Sequence, residues 1–133
     1  DSGDIDILLK SESSDTYELF ISRLIKDGYI RDTLAHGQKK FMGMSNLNTK
    51  NYPNRRIDIM YTSPDEYPFA VLYFTGSAEF NVKMRNDLLE RGYTLNEYGV
   101  NFTDSSKKFT KKFKTEKEIF KYFDYEYLKP EDR

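Results

Sequence analysis

The 133-residue sequence contains no cysteine, so disulfides and thiolate metal sites are excluded, and a reducing compartment fits the absence. No stretch approaches the roughly 20 apolar residues of a membrane-spanning helix, so no membrane association is expected. The first residues are polar and acidic from Asp1 onward, so no secretory leader is expected and an intracellular location is. Histidine occurs once, as His36 in a His36-Gly37 turn, and reads as a surface residue, not as a general base. An excess of one charge is also missing. The formal net charge is -1, which taken whole does not announce a nucleic-acid binder.

What is present is enough for a core. Hydrophobic residues make up 38% of the chain and aromatic ones 16%, which allows one compact domain or two small lobes. The charge is unevenly spread. Acidic residues gather at both ends, and basic ones at Lys39-Lys40, at Arg55-Arg56 and in "KKFTKKFK" at 107–114. A local basic surface matters more for binding than the total does.

"DIDILLK" (4–10) reads as a strand and "DTYELFISRLIKDGY" as a helix. In the helix, Asp15 and Glu18 have capping-box spacing, Tyr17, Phe20, Ile21, Leu24 and Ile25 share a face, and Gly28 marks the stop. "YIRDTLA" and "KKFMGMSNL" suggest two strands of a hairpin, 46–54 a polar loop, and "RRIDIMYT" (55–62) another strand. After Pro64 the pattern turns helical. "EYPFAVLYFTGS" reads as a short apolar helix, and "AEFNVKMRNDLLERG" as a longer one with Phe80, Met84 and Leu88 on one face and Gly92 past its end. Short strands are expected in "YTLNEYGVNF", and a small helix in "TEKEIFKYF" capped by Thr115 and Glu118. The pattern implies an α+β lobe followed by a smaller lobe from about Pro64.

Two of these strands carry carboxylates where a strand has little reason to. Asp4 and Asp6 alternate with Ile5 and Ile7, so both acids share one face and the isoleucines the other. Asp58 sits between Ile57 and Ile59 in the same manner. If the two strands are neighbours, three carboxylates converge, which is repulsive without a counter-ion. Mg²⁺ removes the repulsion, because it is a hard cation that takes oxygen ligands. Two such ions can serve the attacking and leaving oxygens of a phosphoryl transfer. The ordinary alternative is a pair of solvated strand faces. Arg56, two residues before Asp58 and on its face, can hold that carboxylate or stand as a surface arginine.

The segments "SGDIDILL", "DTLAHGQKKFMG", "YPNRRIDIMY", "VLYFTGSAEFNVKMR", "GYTLNEYGV" and "TEKEIFKYFDYEYLKPEDR" together resemble, in order, the palm and thumb of the family X, DNA polymerase beta-like enzymes. The resemblance covers almost the whole chain. It implies an α+β nucleotidyltransferase palm with a mixed sheet over 1–63, and a smaller helical and β thumb lobe over 64–133. It also implies a role for each matched residue. Asp4 and Asp6 bind both metals, Asp58 the catalytic one, and Arg56 lies beside Asp58 and the primer terminus. Tyr73, Phe74 and Gly76 flank the sugar of the incoming nucleotide, and Asn81 reaches its base. Arg85 touches the template, Glu97 and Tyr98 support closure of the thumb helix, and Lys40 lies along the DNA, with Lys39 beside it as a further DNA-binding candidate. Without the resemblance, Tyr73 and Phe74 read as core aromatics, and Asn81 and Arg85 as a solvated helix face.

The chain departs from the family pattern at Ala78, where an aspartate is usual, and at Val82, where a lysine stacks on the template base. The family's Gly-Ser and Arg-Arg-Gly segment, its lyase lobe and its helix-hairpin-helix fingers all precede "SGD". The chain is therefore expected to be the carboxyl-terminal portion of a longer polymerase, weakly active or inactive alone.

The expected function is two-metal transfer of a nucleotide from a deoxynucleoside triphosphate to a primer 3′-hydroxyl in DNA repair or gap filling. The expected cofactors are two Mg²⁺ ions, for which Mn²⁺ can stand in. The expected partners are primer–template or gapped DNA and the triphosphate, with the protein a monomer. The location would be nuclear in a cellular eukaryote, and cytoplasmic for a virus that replicates there. Two other classes remain. A small-molecule nucleotidyltransferase could use the same carboxylates, and a non-catalytic DNA-binding module would need no triphosphate grip. Independently of the resemblance, Lys107, Lys108, Lys111 and Lys112, interleaved with Phe109 and Phe113, suggest a contact with DNA phosphate, or else a solvated loop with two anchoring rings.

Overall fold

The computed structural model describes residues 4–46 and 55–133. The chain divides into two compact units, Asp1–Pro64 and Asp65–Arg133. The expected loop over 46–54 lies outside the described residues except for Asn46, as does Gly3. Among the described residues no helix is long and apolar enough to cross a membrane.

The first unit runs β1 (Ile5–Lys10), α1 (Ser14–Lys26), β2 (Ile30–His36), β3 (Lys40–Ser45) and β4 (Arg56–Thr62). Its four strands form one mixed sheet in the order β1-β4-β3-β2. β1 pairs parallel with β4, while β4 with β3 and β3 with β2 pair antiparallel. The alternation read from the sequence places the core. Ile5, Ile7 and Leu9 lie beside Ile57, Ile59 and Tyr61, three apolar rungs that pack with Phe41 against Tyr17 and Ile21 of α1. Burying side chains of this size stabilises the unit by about 1.5–3 kcal/mol each.

Helix α1 is capped two residues earlier than its spacing suggests. The cap is Ser13, in extended conformation, whose hydroxyl accepts from the Asp15 N–H at 3.1 Å; Asp15 sits in the first turn. Ser13, Ser14 and Asp15 are all capping residue types, so the sequence offers several starts, and the backbone uses the first of these three. Tyr17 and Ile21 are buried and Phe20 and Leu24 partly so, but Ile25 is exposed at the edge of the stripe.

In the β2–β3 hairpin, Gly43 is required by close approach. A Cβ there would fall 2.7 Å from the Asp32 carbonyl oxygen and 2.9 Å from the Phe41 ring. The register between β2 and β3 shifts on either side of the segment from Asp32 to Thr33, and Gly43 lies opposite Thr33.

The second unit contains α2 (Tyr67–Thr75), α3 (Ala78–Glu90), the hairpin β5 (Tyr93–Asn96) and β6 (Gly99–Phe102), and α4 (Glu116–Tyr122). Pro68 stands in the first turn of α2, where its missing N–H costs nothing. Gly76 ends α2 with φ +68, in a region that side chains disfavour, and the Gly76–Ser77 peptide is cis. Ser77 caps α3 by accepting from the Phe80 N–H, and Thr115 caps α4 by accepting from the Glu118 N–H. The core is aromatic: Phe69, Phe113, Phe120 and Phe123 close around Leu72, Met84, Leu88, Val100 and Ile119. Arg133 belongs to this core through its side chain, which bonds Glu116 at 2.7 Å and stacks on Phe120 and Tyr127.

Candidate active site

Asp6 and Asp58 are register partners on the adjacent parallel strands β1 and β4. Partners on neighbouring strands point to the same side of a sheet. The isoleucines on either side of each face α1, so the two carboxylates face away from it. Asp4 lies one residue before β1. The same face continues onto β3, where Met42 opposes Asp58, Met44 opposes Arg56, and Lys40 opposes Met60. Lys40 therefore shares the carboxylate face, one alternate position along.

Arg56 grips Asp58 with both ends of its fork, Nε to Oδ1 at 3.0 Å and Nη2 to Oδ2 at 3.3 Å. The Arg56 guanidinium is held above its ordinary pKa, first by the hydrogen bond to Asp58, then by that residue's charge, and further by the charges of Asp4 and Asp6. All three acids thus act electrostatically on one guanidinium. Among the described residues, no three carboxylate or imidazole groups stand close enough together to hold a metal ion as they are. The donor set nonetheless suits one kind of ion. The residues are all carboxylates with hard oxygen donors, two of them fixed in register by a sheet, which suits Mg²⁺ or Mn²⁺ and not a thiophilic metal.

A second constellation lies wholly within the second unit. Tyr73 and Phe74 occupy the last turn of α2, ring centres 5.7 Å apart, and Gly76 follows them. Asn81 of α3 donates from Nδ2 to the Tyr73 carbonyl at 3.0 Å, tying the two helices together where the chain reverses. One turn further, the Arg85 guanidinium lies 5.6 Å from the Tyr73 ring centre and 3.8 Å from the Glu97 carboxylate. Tyr73, Asn81, Arg85 and Leu95 line a shallow recess between α2, α3 and the hairpin. Tyr98 sits in the hairpin turn, where its N–H and that of Gly99 both donate to the Asn96 side chain. Val82, on α3, is exposed.

The lysines fall into different situations. Lys40 opens β3, and the Lys39 carbonyl just before it accepts from the Tyr61 N–H of β4. Lys107, Lys108, Lys111 and Lys112 are all exposed in the irregular segment between β6 and α4. Lys112 donates to Asp65 at 2.8 Å, which raises its pKa above the usual lysine range. Lys111 lies 5.4 Å over Phe113 and 5.7 Å over Tyr122. His36 closes β2 and bonds Glu18 of α1 at 2.6 Å, an exposed link between helix and hairpin.

Two features escape the sequence reading. Met42 and Met44 share the carboxylate face, which the "KFMGM" alternation hints at but only the β3–β4 register reveals. Tyr125 hydrogen-bonds the Asp87 carboxylate, which also takes two bonds from Arg91. The Asp87–Arg91 spacing is legible on a helix, whereas the contribution of Tyr125 is not.

Comparison with known proteins meets this geometry at both units. The family model of the DNA polymerase beta palm matches residues 1–64, and that of the DNA polymerase beta thumb matches residues 70–133. DNA polymerase lambda of Rattus norvegicus is 31% identical over 107 residues, covering 74% of this chain and 19% of that protein. The DNA polymerase/3′-5′ exonuclease PolX of Bacillus subtilis (strain 168) is 32% identical over 77 residues, 58% of this chain and 13% of its own length. The Repair DNA polymerase X of African swine fever virus (isolate Tick/South Africa/Pretoriuskop Pr4/1996) is 35% identical over 80 residues, 59% of this chain and 44% of the viral protein. The chain thus spans less than half the length of each of these relatives. The two matched regions together leave out only residues 65–69, and the chain belongs to the family X, DNA polymerase beta-like polymerases as their palm and thumb.

Proposed function

We propose that the chain is the catalytic portion of a DNA-directed DNA polymerase that transfers a nucleotide from a deoxynucleoside triphosphate to a primer 3′-hydroxyl, in the filling of repair gaps. The observation that carries this reading is the register pairing of Asp6 with Asp58, beside Asp4 and Arg56. The repair context is supported by the name of the viral relative.

Asp4, Asp6 and Asp58 would hold two Mg²⁺ ions. When bound, such ions lower the pKa of the attacking hydroxyl and neutralise charge on the triphosphate. The chain's own residues do the rest by positioning. Asp58 orients the primer hydroxyl and accepts its proton, and Arg56 sets the direction of that carboxylate through its two bonds. In the second lobe, Tyr73, Phe74 and Gly76 meet the sugar, and Asn81 and Arg85, four residues apart on α3, present one polar face to the base pair. Glu97 restrains Arg85, with Tyr98 in the same turn, and Lys39-Lys40 meet the DNA backbone. The palm is assigned to 1–63 and the thumb to 64–133.

The test pairs two readouts on Asp58→Asn. Single-nucleotide extension of a labelled primer with Mg²⁺ or Mn²⁺ should fall by about 10²-fold or more. Binding of Mn²⁺ followed by electron paramagnetic resonance should weaken in the same variant. Extension that persists undiminished, or transfer to small alcohols in place of a DNA primer, would overturn the reading.

A further inference from the structure

The segment between β6 and α4 carries five lysines in the eight residues of 107–114, yet it is not a free tether. Its two phenylalanines are built into the core. Phe113 is only 2% exposed, and the Phe109 ring stands within 5.4–6.4 Å of the rings of Phe102, Tyr122, Tyr93, Phe113 and Phe123. The entry is pinned by Asp104, which accepts from both the N–H and the hydroxyl of Ser106, and whose carbonyl accepts from the Lys107 N–H. The exit is pinned by the Thr115 cap and by Glu118, which accepts from the Lys114 N–H. The lysines are therefore carried at fixed places on a surface, and a polyanion meeting them orders little further chain.

Resting on the DNA-directed reading above, we propose that this strip binds the phosphate backbone of nucleic acid, and that Asp65 is its built-in competitor. Four of the five lysines, Lys107, Lys108, Lys111 and Lys112, do not contribute equally. Lys107 and Lys108 have no side-chain partner among the described residues, and so meet phosphate directly. Lys112 must first exchange the Asp65 carboxylate for phosphate, and Lys111 is drawn toward Tyr122. Several exposed positive charges on one anchored segment suit the dense negative charge of a phosphate backbone, which is bound through release of condensed counter-ions. An acidic polypeptide is the competing occupant.

The experiment measures binding of a labelled primer–template by fluorescence anisotropy, with the metal chelated, between about 50 and 200 mM KCl. The paired substitution Lys107→Gln with Lys108→Gln should lower the slope of log affinity against log salt by about 2 units. Lys111→Gln with Lys112→Gln should lower it less, and Asp65→Asn should tighten binding several-fold. Lys26→Gln, on α1, should change nothing. An unchanged slope in the Lys107/Lys108 variant, no DNA binding by the parent chain, or a loss seen for poly-glutamate but not for DNA would each overturn the strip. Primer extension at low salt and saturating DNA separates the two claims. Extension with unchanged slopes rejects the strip and leaves the polymerase reading standing. Changed slopes without extension keep the strip and count against that reading.

Discussion

Asp6 of β1 and Asp58 of β4 are paired side by side across a parallel ladder, two like charges on one face of the sheet. Like charges directly opposed across strands destabilise a sheet. The pair is therefore kept at some expense to the fold, which is the usual sign of a functional demand. Asp6→Asn should raise the melting temperature of the metal-free chain by about 1–4 °C. The same substitution should weaken Mn²⁺ binding. Calorimetry in chelator, alongside a metal titration, checks both. A lower melting temperature together with unchanged metal binding would make Asp6 an ordinary surface acid.

Arg56 stands in the way of any ion that would use Asp58, because it occupies both oxygens of that carboxylate and adds a positive charge beside them. Binding of a cation must displace or share this fork. Arg56→Gln should therefore tighten Mn²⁺ binding by up to about tenfold, the scale of a charge–dication interaction at close range in a solvated setting. It should also slow extension, since the carboxylate loses the group that sets its direction. Weaker metal binding in this variant would show that Arg56 helps to build the metal site and does not compete for it.

Much of this was readable from local pattern, and the limits of that reading are physical. The alternation Asp-Ile-Asp-Ile in β1 and Arg-Ile-Asp-Ile in β4 dictates which side chains share a face, because the strand period is two. It says nothing about which strand lies next to which. Pairing across more than fifty residues, and with it the row of Asp6, Asp58 and Met42, emerges only from the sheet. The Ser13 cap has no unique local signature, because three neighbouring residues could each supply it. In the lysine segment, composition reveals the charge, but Asp65 lies 47 residues from Lys112 and its hold on that lysine has no local signature.

Gly43 supports the carboxylate sheet from the β2–β3 side. Its missing Cβ leaves room for the Asp32 carbonyl at a spot where a methyl group would come within 2.7 Å of backbone oxygen. The obstruction is backbone, so no side-chain rotation relieves it. Gly43→Ala should destabilise the first unit by about 1–3 kcal/mol, the range for overpacking a tight interior. Gly37→Ala, where the nearest atom is at 3.4 Å, is the control and should cost less. Urea unfolding of the two variants compares them, and equal midpoints would remove the close-approach argument.

In the second unit, Tyr125 and Arg91 both bond the carboxylate of Asp87, and the Arg91 guanidinium lies 5.0 Å from the Tyr125 ring centre. The bond from Tyr125, and then those from Arg91, hold the Asp87 carboxyl below its ordinary pKa. Burial, and then the bond to Asp87, hold the Tyr125 hydroxyl above its own. The signs follow from linkage. A depressed carboxyl contributes stability that is present above its unfolded value and is lost as pH falls below about 4 and through the folded value. A raised phenol contributes stability that is present below its unfolded value and is lost as pH rises above about 10. The unit should therefore lose stability at both extremes through one cluster. Asp87→Asn should flatten the acid limb, and Tyr125→Phe should flatten the alkaline limb while weakening the acid one, because it removes the larger cause of the Asp87 shift. Thermal melts of the parent and both variants across pH measure each limb. An acid limb unchanged in Asp87→Asn would place its origin in other carboxylates.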